Sequence, residues 1–358
     1  MAFKTRLEPR TLVFFLLLGL VPPIVGHLFL VAGARQLLSR QVEGQAGQRA
    51  DDIQRELGSL IEGAVLQVSN LASSSTLQQA ARDAGRLPVS SAELESAVVR
   101  IESDWARMRG DAGVLRQILE HPASQFLRRQ NEIHATFREI LATDARGRLI
   151  AATNKTSDYY QADEQWWLRA FLQGMGASYV GDLAFDESAN SYGIEIAQPI
   201  HDAESGVVIG VVKGILDSPA LFSRLEEANY GTAEKTLLVR PDGTVVWEPE
   251  GSLSYPYSDQ LRAAVGQGSR SFVFPGQDRD LLIGLPPSGV NARVPALDWY
   301  VVVQHDRATA MAPMGDLNSR FFLIVVVTVI VILVLALVFT RMLSKPIVEI
   351  DPHFDEIP

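Results

Sequence analysis

The chain has 358 residues, a formal net charge of −10 and no cysteine. Without cysteine there are no disulfides, thiolate metal sites or cysteine nucleophiles, which fits an extracytoplasmic domain large enough to stand on its own core. The segments outside two terminal apolar spans cancel in charge, so the acidity lies in the middle. That disfavours nucleic acid as a partner, because phosphate binding needs a basic surface.

The first span, Leu12 to Ala34, and the second, Phe321 to Thr340, are each long enough, at 1.5 Å per residue, to cross a hydrocarbon core of roughly 30 Å. The first outruns the h-region of a cleaved signal peptide and reads as a retained anchor. Pro22-Pro23 and His27 within it read as a proline kink and an interfacial histidine, rather than a proton path. Lys4, Arg6 and Arg10 precede the first span, and Arg341 and Lys345 follow the second. Both termini are therefore expected on the cytoplasmic side, although Arg35, Arg40, Arg307 and Arg320 blunt that asymmetry. The expectation is a two-pass protein of the inner (cytoplasmic) membrane, in contact with membrane lipid, with its large domain extracytoplasmic.

After the first span, Ile53, Leu57, Leu60, Ala64, Val68 and Leu71 recur at spacings of three and four, one stripe of a long helix. It is expected to pack partly on its own domain and partly on a second copy, giving a homodimer through the stalk helix. Ser73-Ser74-Ser75 breaks the run and Gly85 to Ser91 makes a turn. A second helical pattern runs from Ala92 to about Leu119 through Leu94, Val98, Ile101, Trp105 and Met108.

From Thr136 the period becomes two. Phe137 to Thr143, the turn Asp144-Ala145-Arg146-Gly147 and Arg148 to Thr153 read as a hairpin. A short helix near Gln165 to Gln173 follows, then strands near Ser178 to Asp182, Tyr192 to Pro199 and Val207 to Leu216, and a helix around Ser218 to Ala228. The plan repeats: a hairpin from Lys235 to Trp247 turning at Pro241-Asp242-Gly243, a short helix over Asp259 to Val265, and strands near Ser271 to Phe274, Leu281 to Pro286 and Trp299 to Gln304. The predicted class is α+β: a long N-terminal helix, then two PAS-like antiparallel sheets in series, flanked by two transmembrane helices. The expected boundaries are a cytoplasmic N-terminus at 1–11, a first span at 12–34, a helical stalk at 35–125, a membrane-distal domain at 126–228 and a membrane-proximal one at 229–306. A connector at 307–320, a second span at 321–340 and a tail at 341–358 complete the plan.

The long helix, the Asp144-Ala145-Arg146-Gly147 turn, Tyr159-Tyr160, Trp166-Trp167, the Gly206 to Asp217 strand and Asp298-Trp299-Tyr300-Val301-Val302 before the second span together resemble a double Cache (PAS-like) sensor domain over about Arg35 to Asp306. Ser344-Lys345-Pro346-Ile347 is similar to the start of a HAMP linker. The resemblance implies extracytoplasmic small-molecule sensing and transmembrane signalling, with the second sheet acting as a coupler. Because the chain ends at Pro358 without an output domain, it implies either a truncated receptor or one acting through a separate cytoplasmic signalling protein. A membrane-anchored binding module that sends no signal is the alternative.

The resemblance also places a ligand over the distal sheet, along Tyr159 to Tyr192. The candidate ligand-binding residues are Tyr159, Tyr160, Asp163, Glu164, Trp166, Trp167, Tyr179, Asp182, Tyr192 and Lys213: aromatic walls that bury apolar surface, with a few polar groups for selectivity. One of Trp166 and Trp167 is expected to face the ligand and the other the core. Amino-acid-binding members resemble the chain at Tyr159, Trp166 and Trp167, but carry Arg where Glu164 stands and Asp about where Ile215 stands, so an α-amino acid held in the usual manner is not expected. Lys213 is placed to meet an anionic group. Asp163, Glu164, Asp182 and Asp186 are instead placed to hold an amine or a hard cation such as calcium, while Asp186, Glu187 and Ser188 also read as solvated loop residues. The expected ligand is a small polar or cationic organic molecule. No cofactor or resident metal is expected, since the six histidines are scattered, and no nucleophile-base pair marks an enzyme.

Overall fold

A computed structural model describes residues 9–86, 91–109, 113–229, 234–249, 258–276 and 279–343. The segment similar to a HAMP linker and the turn centred on 87–90 lie outside them. The chain divides into two compact units: Glu43–Asp306, and the two ends, Met1–Val42 with Arg307–Pro358.

Helix α1 (Pro9–Ala72) is continuous through Pro22 and Pro23. It stops at the serine run as expected: the Ser73 hydroxyl donates back to the Ser69 carbonyl at 3.0 Å, and Ser74 accepts from the Leu77 amide at 3.3 Å as N-cap of α2 (Ser75–Gly85). Helices α3 (Ser91–Trp105), α4 (Gly113–Glu120) and α5 (Pro122–His134) follow. The sequence reading missed α5. Its start signals are a proline in the first turn and the His121 ring, which accepts from the Ala123 amide at 3.1 Å.

The first sheet comprises β1 (Phe137–Asp144), β2 (Leu149–Ala152), β3 (Tyr179–Asp186), β4 (Ser191–His201) and β5 (Val208–Asp217), with α6 (Gln165–Phe171) between β2 and β3. Helix α7 (Ser218–Asn229) leads to β6 (Lys235–Val239), β7 (Val245–Trp247), α8 (Ser258–Gly266), β8 (Ser271–Pro275), β9 (Asp280–Gly284) and β10 (Tyr300–Asp306) of the second sheet. The strand orders are β2-β1-β5-β4-β3 and β7-β6-β10-β9-β8, the same plan twice, as the sequence predicts, and every pairing is antiparallel. The fold is thus α+β, with two PAS-like sheets behind one long helix.

Each sheet buries both faces. One face of each packs against α1: Ile140, Ile196 and Val212 of the first sheet and Leu238, Val301 and Val303 of the second join the α1 stripe in one core. All six stripe positions pack there, Leu57 and Val68 fully buried, so the stripe serves its own domain and offers no free surface for a second copy at those heights. Gln54 fastens α1 to the second sheet, donating to the Ser288 carbonyl and accepting from the Val301 amide at 2.9 Å. The opposite face of the first sheet carries a second core, under α3, α4 and α6. That of the second sheet carries a third, against α8.

The other unit holds the apolar ends. Among the described residues α1 contains a stretch long and apolar enough to cross a membrane, and a shorter apolar stretch, Ser319–Leu335, lies in α10 (Pro313–Leu343), which follows the short α9 (Arg307–Ala310). Their apolar side chains, Phe29 and Phe322 among them, are exposed. His27 lies beside Phe321, with ring centroids 6.0 Å apart.

Candidate functional site

The face of the first sheet turned away from α1 is where the chemistry-bearing residues meet. Strand alternation puts Glu139, Leu141 and Thr143 of β1 on this face, and cross-strand pairing adds Lys213 and Ile215 of β5 and Glu195 and Ala197 of β4. Helix α6 lies over it with Trp166, Trp167 and Ala170 inward. Trp166 and Trp167 are both buried in this core but make different contacts. Trp167 is an anchor: its indole N–H donates to the Thr143 hydroxyl at 2.9 Å and its ring stacks on Phe171 at 4.5 Å. Trp166, 1% exposed, presents its ring to Lys213 Nζ 4.9 Å from the centroid, and its own buried N–H has no partner among the described residues.

The loop before α6 is tied down by α3. The Glu102 carboxylate accepts from the amides of Tyr159 (3.0 Å) and Tyr160 (2.8 Å), and Trp105 donates to the Thr156 carbonyl at 2.9 Å and packs on Tyr159. Tyr159 is therefore a buried wall of the site, while Tyr160 is half-buried at its margin. Tyr179 of β3 joins the same aromatic cluster.

Lys213 meets protein carboxylates: Asp186 at 3.0 Å and Glu195 at 3.2 Å. The expectation that it awaits an anion is corrected, since its charge is already answered. Burial alone would push its ammonium down, but the facing Glu195 and Asp186 carboxylates hold it above the ordinary lysine range. Glu139, absent from the candidate residues, is fully buried beside this pair and accepts from Ser188 and Asn154, each at 2.7 Å. Burial pushes its carboxyl upward, against the opposing effect of the Ser188 hydrogen bond.

Asp186 and Ser188 are thus not solvated loop residues, and a β-bulge explains why. Val180 pairs with Ile196 and Leu183 with Ile194, so Gly181 and Asp182 together oppose the single residue Glu195. The extra residue flips the alternation beyond it and turns Asp186, paired with Ser191, onto the Lys213 face. The same bulge takes Asp182 away: its carboxylate accepts from Trp299 Nε1 at 3.0 Å and Arg240 Nη2 at 2.6 Å, joining the two sheets. Tyr192, exposed and edge-on to Phe185, pairs at the end of β4 with the residues facing away from Lys213. Asp182 and Tyr192 therefore stand apart from the other candidates.

A second tier of acids lies at the margin: Asp158, Asp163 and Glu164. Burial pushes the Asp158 carboxyl upward, with the neighbouring Asp163 charge adding to it. Burial likewise raises Glu164, followed by the charges of Asp158 and Asp163. Among the described residues the Asp163 and Glu164 carboxylates have neither a hydrogen-bond nor an ion-pair partner. No cluster of three or more metal-ligating side chains occurs among the described residues.

Residues 33–314 match the model of the Cache domain. The chain belongs to the Cache domain family. Solved structures similar to this Cache protein include the ligand-binding domain of the Pseudomonas aeruginosa PAO1 amino acid chemoreceptor PctB in complex with L-Arg (16% identity, 78% of this chain and 93% of that one, TM-score 0.48). Similar too are the ligand-binding domain of the Pseudomonas fluorescens chemoreceptor CtaA in complex with L-isoleucine (16%, 78% and 98%, 0.48) and the sensor domain of the V. cholerae histidine kinase DctB (12%, 76% and 98%, 0.44). No curated protein sequence matches the chain.

Proposed function

We propose that this Cache protein is an extracytoplasmic sensor that binds a small organic cation over its first sheet and passes the event through the membrane. The observation that carries this reading is the charge of the site. Its lysine is satisfied by Asp186 and Glu195, while Asp163 and Glu164 stand unpaired among the described residues beside a buried aromatic wall. A ligand ammonium supplies the missing charge, and burial against Trp166 and Tyr179 supplies affinity.

In this reading residues 126–228 form the ligand-binding domain and 229–306 the coupler. Strand β10 runs directly into α9 and α10, so a ligand that favours one of two arrangements of sheet and helix biases the spans. The output belongs to a cytoplasmic domain or partner, and a second copy of the chain would meet this one through a face of α1 other than the buried stripe.

Calorimetry on the full chain in detergent, against amines, amino acids and dicarboxylates, tests the ligand class. Cationic amines are expected to bind; binding confined to dicarboxylates would overturn the reading. Unchanged amine binding in both Trp166→Ala and Trp167→Ala would move the ligand elsewhere.

The pH dependence has a definite sign. Glu164 and Asp158 lose their charge as pH falls through values raised above the ordinary 4.5 and 3.8, so amine affinity is expected to fall on acidification from neutral pH down through the carboxylate range, beginning above those ordinary values. Affinity flat over that window, measured by titration calorimetry, would exclude these acids from the contact.

A further inference from the structure

The box around Lys213 Nζ has the composition of an ammonium-binding subsite: the Trp166 ring at 4.9 Å, Asp186 at 3.0 Å and Glu195 at 3.2 Å, on a side chain 4% exposed. Its occupant, however, is part of the chain. We infer that Lys213 is a tethered occupant of this subsite and thereby a specificity-determining residue. It fills the inner cation position, so the ligand's own ammonium is held at the outer acids Asp158, Asp163 and Glu164, and the site selects compact monocations over molecules with a second cation. This rests on the reading of this face as the ligand site.

Three features support the assignment. The lysine makes its two ion pairs with different strands, Asp186 at the end of β3 and Glu195 on β4, so the box is assembled by the sheet rather than by a local turn. Glu139 lies against the same pair and is held by Ser188 and Asn154, leaving the ammonium to Asp186 and Glu195. The Trp166 N–H remains buried without a partner among the described residues, a donor left for a ligand acceptor next to the filled cation position.

Chemical rescue tests this. Lys213→Ala deletes the equivalent of n-propylamine and leaves the carboxylates facing an empty box. In the full chain in detergent, the variant is expected to melt well below wild type and to regain about half or more of the loss in roughly 50 mM n-propylamine at pH 7.5. Matched sodium chloride or n-propanol should not restore it. Wild type, its box occupied, should gain no more than the smaller shift of an amine held at the outer acids. A variant indifferent to the amine, or a wild type raised equally, overturns the assignment. If Lys213→Ala accumulates only in unfolded form, n-propylamine during refolding is expected to recover it, and no recovery counts against the proposal. The double variant Lys213→Met/Asp186→Asn, which removes one charge of each sign, should respond to the amine no more than wild type does; rescue as large as in Lys213→Ala would refute a charge-built subsite. None of these readouts needs the natural ligand. A failed rescue removes the tethered occupant and leaves the wild-type amine calorimetry standing, whereas a successful rescue beside negative calorimetry removes the sensor reading and keeps the subsite.

Discussion

Arg148→Met is expected to destabilise the protein by about 3–5 kcal/mol, the usual consequence of leaving one partner of a buried ion pair uncompensated. Arg148 Nε donates to Asp144 Oδ2 at 2.7 Å, and its Nη2 donates to the Ala84 carbonyl at 2.9 Å, tying α2 to the sheet. The side chains are 6% and 2% exposed, so water cannot take over either role. Asp144 Oδ1 meanwhile accepts from the amides of Arg146 (2.9 Å) and Arg148 (3.0 Å), which shapes the turn. Gly147 completes it at a φ of +76°, where a Cβ would stand 2.4 Å from that of Ala162. Thermal unfolding in detergent should show a drop of roughly 10 °C. Adding Asp144→Asn should cost less in the Arg148→Met background than in wild type, because it removes the stranded charge. A drop within a degree of wild type would show that the pair is not buried as described.

The second large effect is functional. Glu164→Arg is expected to weaken amine binding by at least about tenfold, since each tenfold corresponds to about 1.4 kcal/mol and a charge at a half-solvated site interacts with a neighbour about 4 Å away by roughly 1–4 kcal/mol. The carboxylate is exposed, so folding should be nearly unaffected, and that separates this variant from the tryptophan truncations. Glu164→Gln should fall between wild type and Glu164→Arg. The arginine also offers a planar partner for a carboxylate, so some gain in binding of anionic ligands is expected. Amine binding retained at full strength in Glu164→Arg, measured by calorimetry beside an unchanged melting temperature, would place the cation elsewhere.

Strands were legible in the sequence because burial on two faces writes alternation into the chain. The hairpin from Phe137, the long strand before Asp217 and the repeat after Lys235 all fall close to the expected positions. What the alternation could not carry was its own interruption. The bulge at Gly181-Asp182 lengthened β3 to Asp186 and exchanged the two acids: Asp182 went to Trp299 and Arg240, Asp186 to Lys213. Gly181 was the available signal, since a glycine inside a strand often marks a bulge. Glu139 was overlooked for a similar reason. It sits among apolar residues in β1 two positions from Leu141, and that spacing alone assigned it to an inward face. The partner sets of Lys213 and Glu102 depend on contacts between residues far apart in the chain, which no local pattern encodes. The aromatic cluster of Tyr159, Trp166, Trp167 and Tyr179 was legible because large side chains on one short helix and its flanks have to be buried somewhere.

Helix α1 contributes one buried stripe to both sheets, and Gly284 lets β9 approach so near that an added Cβ would stand 2.3 Å from the Ala46 carbonyl oxygen. The two PAS-like halves therefore share one of their interiors, the core against α1. Neither can lose its fold without uncovering apolar surface that belongs to the other, so calorimetric melting of Glu43–Asp306 within the intact chain is expected as one cooperative transition, with van't Hoff and calorimetric enthalpies equal. The binding free energy of a ligand on either sheet then raises the melting point of both.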